Sequence, residues 1–201
     1  MILENKLGIT NQLELQKTEE KISKQKAKKL FETGDIYKVE VGTFAGLAQI
    51  HLHLFAEIYD FAGKLRNVNI AKGNFRFAPL MYIEAALQHI DKLPQGNFDQ
   101  IIEKYIEMNI AHPFREGNGR ATRIWLDLIL KKEIHHVINW NEVDKSDYLS
   151  AMERSVVKDI EIKHILKQAL TDKINDREIF MKGIDISYYY EGYNEFRIED
   201  L

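Results

Sequence analysis

The chain turns at His112-Pro-Phe-Arg-Glu-Gly-Asn-Gly-Arg-Ala-Thr-Arg123, between two segments rich in apolar residues. Pro113 has no backbone N–H and disfavours helical geometry in the residue before it, so the first segment should end as a helix at His112. Gly117 and Gly119 allow backbone angles that other residues avoid, and they let a ligand approach the main chain. The second helix starts directly after them, and its free N–H groups and dipole favour an anion. The stretch therefore predicts an anion-binding loop between two helices.

The apolar spacing outside this loop also predicts helices, and with three prolines and 11 glycines it indicates an all-α fold. Residues 119–132 should form the central buried helix, because residues 124–130 are apolar except for Asp127 and leave little polar surface. The other segments with helical spacing are residues 11–32, 43–63, 81–91, 98–111, 145–154, 158–170 and 172–182, followed by a short turn at 187–192. Thr43 should cap the second of these helices, and Gly63 and Gly183 should end the second and the last. Residues 65–79, with Lys72-Gly73-Asn74 at the turn, predict a β-hairpin.

The composition excludes several classes of function. A net charge of −3 provides no basic surface, so no direct nucleic-acid binding is expected. Without cysteine the chain has no disulfide, thiolate metal site or cysteine nucleophile, and it suits the reducing cytoplasm, its expected location. The longest apolar block, residues 124–130, is too short to cross a membrane, and the first residues lack the features of a secretory signal. The lysines of residues 21–29 predict a solvated helix face.

Within the loop, a base, an acid and two arginines stand close in sequence. His112 has an unperturbed pKa near neutrality and suits a base that acts on a hydroxyl. Arg120 and Arg123 share one face of the first helical turn and suit a polyphosphate. Glu116 would repel phosphates unless a hard cation such as Mg²⁺ lay between them. The alternative is a connecting loop whose charges only pair with one another.

The loop matches the signature HxFx(D/E)GNGRxxR at every defined position, and the chain therefore resembles the Fic (Fido) family. The resemblance implies a Fic-type helical bundle with one β-hairpin flap and a C-terminal inhibitory helix. It divides the chain into an N-terminal helical extension (1–40), a Fic core (41–170) and C-terminal helices (171–201). The implied activity is that of a protein adenylyltransferase, which transfers AMP from ATP to a Tyr, Ser or Thr hydroxyl of a target protein and releases pyrophosphate.

For such a protein the motif implies a role for each of its residues. His112 deprotonates the target hydroxyl, and Glu116 binds Mg²⁺. The residues that cradle and hold the phosphates of ATP are Gly117, Asn118, Gly119, Arg120 and Arg123. Family members that act as kinases carry a bulkier residue in place of the first glycine, so Gly117 favours AMP transfer. A transferase that uses another phosphodiester donor remains an alternative.

The predicted hairpin resembles the Fic flap, which clamps a target segment beside the active site. Residues 72–77, which include Lys72 and Phe77, would dock the target protein by strand-like pairing. Lys72 and Asn109, one helical turn before His112, are further candidates for the nucleotide pocket. Fic proteins of this kind are associated with type IIA topoisomerase subunits as targets, but nothing in the flap sequence specifies a target.

A second signal lies at residues 187–192, where Ser187 and Glu191 stand four residues apart and share one helix face. Together with Gly192 they resemble the inhibitory motif (S/T)xxxE(G/N). The resemblance implies that Glu191 pairs with Arg123 and withdraws it from the γ-phosphate, and that Gly192 allows close approach. In some Fic enzymes this glutamate positions a water that removes AMP, so de-AMPylation is a second implied activity. A homo-oligomer that presses this helix onto the site would reinforce inhibition.

Tyrosines surround this motif: Tyr188, Tyr189, Tyr190 and Tyr193. Our first interpretation is an aromatic face that packs the helix onto the core. The second is self-modification of Tyr188 or Tyr193, because a tyrosine hydroxyl near the active site is an acceptor for AMP.

Other classes of protein compete with this prediction. A metal hydrolase would use His112 and Glu116 as ligands, but the chain has no HExxH pair, and His51 is expected to be a structural histidine. A P-loop phosphotransferase is disfavoured because Ile58 stands where the motif needs a glycine. The main non-enzyme alternative is an interaction module that senses phosphate without catalysis. An antitoxin role is disfavoured because the full catalytic motif is present.

Overall fold

The computed structural model of the chain describes residues 2–73 and 75–201, so Asn74 of the predicted hairpin turn lies outside the described residues. The helices are α1 (Gln12–Glu32), α2 (Phe44–Phe55), α3 (Ile83–Lys92), α4 (Phe98–Ala111), α5 (Asn118–Ile134), α6 (Lys145–Arg154), α7 (Ile160–Gln168) and α8 (Arg177–Tyr190). The predicted all-α bundle with a hairpin is confirmed. Among the described residues, none of the helices combines the length and the apolar composition needed to cross a membrane.

Local capping residues begin two helices where the sequence predicts them. The side chain of Asn11 accepts a hydrogen bond from the N–H of Glu14 at 3.0 Å, and α1 starts at the next residue. Thr43 Oγ1 accepts one from the N–H of Gly46 at 3.1 Å, and α2 starts after it. Each bond satisfies an N–H group that has no acceptor within the helix. Both starts are therefore set by short stretches of sequence.

Helix α5 is the central element of the fold. Trp125, Leu126 and Ile129 are fully buried, and the helix packs against α2, α4 and α8. Helix α1 packs against α2 and α8, which brings the first and last helices of the chain together. The division of the chain at residues 40 and 170 stays a prediction. The loop that precedes α5 is held at both ends by buried helices, as a rigid site requires.

The predicted continuation of α2 to Gly63 is wrong, because the helix ends at Phe55. The backbone carbonyls beyond that point accept hydrogen bonds from another segment. Lys6 donates its Nζ to the carbonyl of Ala56 and its N–H to that of Ile58, both at 2.8 Å. Ile58 is still buried, so the apolar spacing that suggested a longer helix reflects a buried turn.

The predicted break at Gly183 is also wrong, because α8 is one unbroken helix. Gly183 lies where Trp140 packs against the helix, and a Cβ atom there would stand 3.2 Å from Trp140 Cδ1. The glycine therefore serves close packing and not helix termination. Ser187 therefore lies within α8, and Glu191 is the residue directly after the end of the helix.

The hairpin is shorter than predicted. Strand β1 (Ala71–Lys72) pairs antiparallel with β2 (Phe75–Arg76), with Ala71 opposite Arg76. The segment before β1 is not a strand. The carbonyl of Val68 in that segment accepts a hydrogen bond from the buried side chain of Arg66. A second ladder, β3 (Val137–Ile138) with β4 (Leu170–Thr171), was not predicted. Strands of two residues are too short to show an alternating pattern.

The prediction that the lysines of residues 21–29 form a solvated face is wrong for Lys24. Its side chain is 1% exposed and pairs with Glu20 at 3.0 Å and Asp185 at 2.8 Å. Its Nζ also donates to the carbonyl of Phe196 at 2.6 Å. Helix α1 thus has a buried polar face, which binds the last residues of the chain.

Candidate active site

The loop between α4 and α5 turns at His112, whose φ of 48° lies in the left-handed region. Phe114 is fully buried and stacks on His51 with 3.9 Å between ring centroids. Gly117 has a φ of 77°, and a Cβ atom there would lie 2.6 Å from the ring of Phe55. Backbone conformation and packing therefore both exclude a side chain at this position.

Asn118 closes the loop with its side chain. Its Oδ1 accepts from the N–H of Phe114 and its Nδ2 donates to the carbonyl of Phe114, both at 2.8 Å. The side chain is thus committed to the loop, and only the main chain of Asn118 is left to contact a phosphate. The first N–H groups of an α-helix have no acceptor within the helix, so the start of α5 offers donors to an anion.

His51 fixes the loop from α2. Its Nδ1 accepts from the N–H of Gly63 at 2.9 Å, so its proton is on Nε2, which donates to the carbonyl of Glu116 at 2.8 Å. Burial lowers the pKa of His51 to about 3, which keeps the ring neutral. His51 is a structural histidine, as predicted, and what it holds in place is the motif itself.

His112 is neutral and has one ring nitrogen free to accept a proton. Its Nδ1 lies 3.3 Å from the carbonyl of Asn109, which can only accept, so Nδ1 carries the hydrogen and Nε2 is left with a lone pair. The ring stacks on Phe77 of the hairpin at 3.6 Å between centroids. Burial lowers the pKa of His112 to about 4. The imidazole is therefore in the form that a general base requires at neutral pH.

Arg123 is buried and bound by the residues of the C-terminal motif. Its Nε donates to Ser187 Oγ at 2.7 Å, and its Nη2 donates to the carbonyl of Ser187 at 2.9 Å. The same Nη2 donates to Glu191 Oε1 at 2.8 Å. The guanidinium group is thereby held by α8 and by the residue that follows it.

Glu191 is held between two cations. Its Oε1 pairs with Arg123, and its Oε2 lies 3.2 Å from the Nζ of Lys72 in the hairpin. Burial would raise the pKa of Glu191, but the charges of Arg123 and Lys72 outweigh it and hold the pKa at about 2. The carboxylate is therefore ionised at neutral pH. Lys72 reaches the site in this structure as a partner of Glu191.

The Glu191 carboxylate covers the start of α5. A Cβ atom on Gly119 would overlap Glu191 Oε1, so a side chain at this position would displace the carboxylate. The prediction that Gly192 allows a close approach of the helix is wrong, because no described atom lies within 4 Å of a Cβ atom placed there. Its φ of 91° is the reason for glycine, since the chain leaves α8 in a left-handed conformation.

The guanidinium group of Arg120 is held by two carboxylates beside the predicted phosphate site. Its side chain is 1% exposed, and its Nη1 pairs with Glu19 of α1. Its Nη2 donates to Glu116 Oε1 at 3.1 Å. The rings of Tyr188 and Tyr193 lie 5.2 and 4.5 Å from the guanidinium carbon. A carboxylate from a distant helix therefore holds Arg120 from the core side of the loop.

The tyrosines pack the end of α8 onto the core. Tyr188 and Tyr190 are buried, whereas Tyr189 is exposed. The hydroxyl of Tyr188 has no hydrogen-bond partner among the described residues, and burial raises its pKa to about 12. Tyr193 is partly buried against Arg120. In this conformation Tyr188 is closed to an incoming nucleotide, so its modification would require α8 to leave the core.

Glu116 is suited to hold a cation. Its side chain is 43% exposed, and its Oε1 accepts from the N–H of Gly117 at 2.9 Å and from Arg120. No described residue donates to its Oε2. One carboxylate oxygen beside a phosphate-binding helix start fits the way Mg²⁺ is held, by one or two carboxylates together with substrate phosphates.

These groups meet at a cavity of about 580 Å³ between the hairpin, the motif loop and α6. The predicted site residues that line it are Lys72, Asn109, His112, Glu116, Gly117, Asn118, Gly119, Arg120, Arg123 and Glu191. Ser187, Tyr188, Gly192 and Tyr193 are not among its lining residues. Four residues of α6 that the sequence did not suggest also line it: Tyr148, Leu149, Met152 and Glu153. The volume is within the range of small-molecule sites.

Residues 43–130, which include the whole loop, match the family model described as the Fic/DOC family. The chain contains a Fic domain. Its curated relatives include the protein adenylyltransferase VbhT of Bartonella schoenbuchensis, with 30% identity over 96% of this chain and 44% of the relative. The probable protein adenylyltransferase y4lH of Sinorhizobium fredii is 29% identical over 79% of this chain and 85% of the relative. The chain thus spans less than half of VbhT but most of y4lH.

Solved structures share the Fic fold. BepC of Bartonella tribocorum, solved with bound AMPPNP, superposes with a TM-score of 0.68 and 18% identity, over 85% of this chain and 93% of that one. The N-terminal Fic domain of a Bartonella quintana effector, solved with bound ADP, gives a TM-score of 0.68 and 20% identity, over 84% and 90%. At such identities the likeness concerns the fold alone.

Arg66 is a residue of this Fic domain that sequence reasoning missed. It is 3% exposed and lies between the motif loop and the hairpin. Its Nε donates to the carbonyl of His112 at 2.8 Å, and its two Nη atoms donate to those of Val68, Ala78 and Ala111. It therefore ties the end of α4 and the turn at His112 to both sides of the hairpin. It belongs to no motif, so only its position in the fold reveals this role.

Arg66→Met should lower the free energy of unfolding by about 3–5 kcal/mol, because it leaves several buried carbonyl groups without a donor. Urea unfolding followed by circular dichroism measures the loss. Arg154→Met is the matched control, since Arg154 is exposed and its pairing with Glu161 should contribute less than about 1 kcal/mol. Equal losses for the two variants would contradict a special role for Arg66.

Proposed function

We propose that this chain is an autoinhibited protein adenylyltransferase that transfers AMP from ATP to a Tyr, Ser or Thr hydroxyl of a target protein. The observation that carries the proposal is the contact of Glu191 with Arg123, directly above Gly119 of the motif. The start of α5, which would bind the phosphates, lines one cavity with a neutral histidine and with the Glu191 carboxylate. The curated relatives named as protein adenylyltransferases support the activity, and the fold neighbours solved with AMPPNP and ADP support a nucleotide as ligand.

His112 has the geometry for the proton transfer in this reaction. The target hydroxyl gives its proton to Nε2, and its oxygen forms a bond to the α-phosphorus of ATP. The bond from the α-phosphorus to the bridging oxygen breaks, and pyrophosphate leaves with that oxygen. Asn109 holds the ring through Nδ1, and Phe77 covers one face of it. These contacts fix the direction of the accepting lone pair before a target binds.

The phosphates would bind at the start of α5. The main-chain N–H groups there and the small surface of Gly119 allow close approach of phosphate oxygens. Arg123, once released from Glu191, supplies a charged fork for the terminal phosphate. Glu116, with its Oε2 free of protein donors, would hold Mg²⁺, which neutralises phosphate charge when it is bound. Arg120 contributes indirectly, through its bond to Glu116.

Inhibition in this proposal comes from competition for Arg123 and for space. Glu191 takes Nη2 of Arg123, and Ser187 takes Nε. The carboxylate also brings negative charge to the place where phosphate oxygens would bind, above Gly119. ATP must therefore displace Glu191 or accept a distorted terminal phosphate. Removal of Glu191 relieves both obstacles.

The hairpin is the proposed docking site for the target protein. Within the proposed docking segment 72–77, Lys72 of β1 and Arg76 of β2 are exposed, and an extended peptide can pair with such a strand edge. Phe77 lies against His112, so a segment paired there would carry its hydroxyl close to the base. A type IIA topoisomerase subunit as target, and a homo-oligomer that reinforces inhibition, are parts of the proposal that come from the family resemblance.

The position of the label tests the reaction. Purified Glu191→Gly protein is incubated with a cell lysate and with ATP radiolabelled at either the α- or the γ-phosphate. Relative to the lysate alone, AMP transfer predicts additional labelled protein with the α-label and none with the γ-label. Additional labelling by the γ-phosphate would indicate a kinase. Nucleotide binding without any label transfer would indicate the non-catalytic phosphate-sensing module.

Removal of AMP is a second candidate activity of the same site. Glu191 and His112 line the same cavity, and the charge of Glu191 raises the pKa of the imidazole against the effect of burial. A carboxylate that shares the cavity with the base can orient a water beside it. The candidate predicts that a target labelled by the Glu191→Gly variant loses its label when wild-type protein is added. Addition of Glu191→Gln protein should leave the label in place.

A further inference from the structure

Helix α1 brings a carboxylate to the motif from 101 residues earlier in the chain. Glu19 is 2% exposed, and its Oε1 accepts from Arg120 Nη1. Its Oε2 accepts from the hydroxyl of Tyr59. Both carboxylate oxygens are thus directed by donors from the Fic domain, although α1 lies outside the residues that match the family.

Arg120 connects Glu19 to Glu116. Its guanidinium group is 1% exposed, so its charge needs compensation within the protein. Glu19 supplies this on Nη1, and Glu116 receives one hydrogen bond from Nη2 at 3.1 Å. The two carboxylates share one cation, but only Glu116 borders the cavity.

The sharing leaves Glu116 with one oxygen for another ligand. Its Oε1 accepts from Arg120 and from the N–H of Gly117, and these two donors fix the orientation of the carboxylate. Among the described residues, no group donates to Oε2. An arginine that had Glu116 as its only partner would favour a bidentate pair, which uses both oxygens.

We propose that Glu19 is a positioning residue for Glu116 and acts through Arg120. By neutralising Arg120 from the core side, Glu19 keeps the guanidinium group from taking Glu116 Oε2. That oxygen stays available for the divalent cation that accompanies the nucleotide. The inference rests on the proposed function in one respect, the role of Glu116 as a metal ligand.

Glu20 provides a matched comparison. It is the next residue of α1 and is equally buried, at 1% exposed. It pairs with Lys24 at 3.0 Å and accepts from the N–H groups of Glu195 and Phe196. Among the described residues, none of the polar contacts of Glu20 reaches the motif loop. Loss of its charge should destabilise the fold as much as loss of the Glu19 charge, without an effect on Glu116.

The experiment measures Mn²⁺ affinity in the presence of AMPPNP, by calorimetry and by electron paramagnetic resonance, in the Glu191→Gly background. Glu19→Gln should bind Mn²⁺ about 10-fold more weakly than the parent, the loss expected when an outer partner of a metal ligand is removed. The Mn²⁺ affinity of Glu20→Gln should stay within about twofold of the parent value, although its thermal unfolding midpoint should fall as much as that of Glu19→Gln. Equal Mn²⁺ affinities for the two variants would overturn the proposal. If Glu19→Gln does not fold, Glu19→Asp and Glu20→Asp replace the pair, with the same order of affinities expected.

The same measurements separate this inference from the proposed function. A parent protein that binds Mn²⁺ with AMPPNP but transfers no AMP would refute the transferase activity, and the comparison of Glu19 with Glu20 would still decide the role of Glu19. A parent protein that binds AMPPNP but takes up no Mn²⁺ when the ion is supplied would overturn the inference, because Glu116 would then not be a metal ligand.

Discussion

Glu191→Gly is expected to raise the rate of AMP transfer by about 100-fold, because it removes the carboxylate that holds Arg123 and covers Gly119. A hydrogen bond to a charged group contributes about 1.5–3 kcal/mol, and Glu191 makes such contacts with both Arg123 and Lys72. A closing free energy of about 2.7 kcal/mol corresponds to a 100-fold difference in the population of the open site. Initial rates with α-labelled ATP and a fixed amount of lysate measure the effect.

Two control variants define what the activation means. Glu195→Gly removes an exposed carboxylate four residues later, whose one ion pair in the described part of the chain is with Lys17 at the surface. It should transfer AMP at the wild-type rate. Glu191→Gln keeps the bulk above Gly119 but loses the charge, so its rate should lie between those of the wild type and Glu191→Gly. Activation of Glu191→Gln to the full extent would show that charge alone inhibits. Equal rates and ATP affinities for Glu191→Gly and wild type would contradict autoinhibition.

Short-range features of the fold could be predicted from the sequence. The starts of α1 and α2 follow from Asn11 and Thr43, whose side chains bond to backbone groups three residues on. Helix α4 has the predicted bounds, since Asn97 caps its start and Pro113 follows its end. In each case the residues that decide the structure are within one helical turn of one another. Such signals are visible without a fold.

Side-chain directions that depend on distant partners could not be predicted. Arg120 stands three residues from Arg123, and this spacing alone predicts that both guanidinium groups bind one polyphosphate. The structure directs Arg120 to Glu19, which is 101 residues away. Lys24 is likewise buried because Asp185 and the carbonyl of Phe196 meet it. A sequence gives the charge of these residues but not which partner comes within reach.

Gly183 and Arg66 show the same limit in single residues. Glycine is typical both of helix ends and of close packing. Only the position of Trp140 shows that close packing is the reason for glycine at position 183. Arg66 donates to four carbonyls that come from three places in the chain. The motif itself could be recognised from the sequence because its residues lie within twelve consecutive positions. The contacts that support it come from α1, α2 and the hairpin.

His112→Ala, in the Glu191→Gly background, is expected to lower the rate of AMP transfer by about 1,000-fold, within the range that general base catalysis contributes. The substitution removes Nε2, the lone pair that would accept the hydroxyl proton. The affinity for ATP should change little, because the hydrogen bond that the ring makes within the described structure is to the carbonyl of Asn109 and not to the start of α5. Calorimetry with AMPPNP measures the affinity, and the α-label measures the rate. His89→Ala, at an exposed position of α3, is the matched control and should keep the parent rate.

The dependence of the rate on pH separates a lost base from a damaged fold. Burial holds the pKa of His112 at about 4, and the charge of Glu191 raises that pKa, so the Glu191→Gly parent should have a still lower one. His112 is then unprotonated throughout the range from pH 6 to pH 8, and the parent rate should vary by less than about twofold across it. Without His112 the hydroxyl must lose its proton to solvent, so the remaining rate should rise with pH, by up to about tenfold per unit. A parent rate that falls tenfold from pH 7 to pH 6 would mean that the histidine titrates near neutrality and that the ring stacked on Phe77 is not the working conformation.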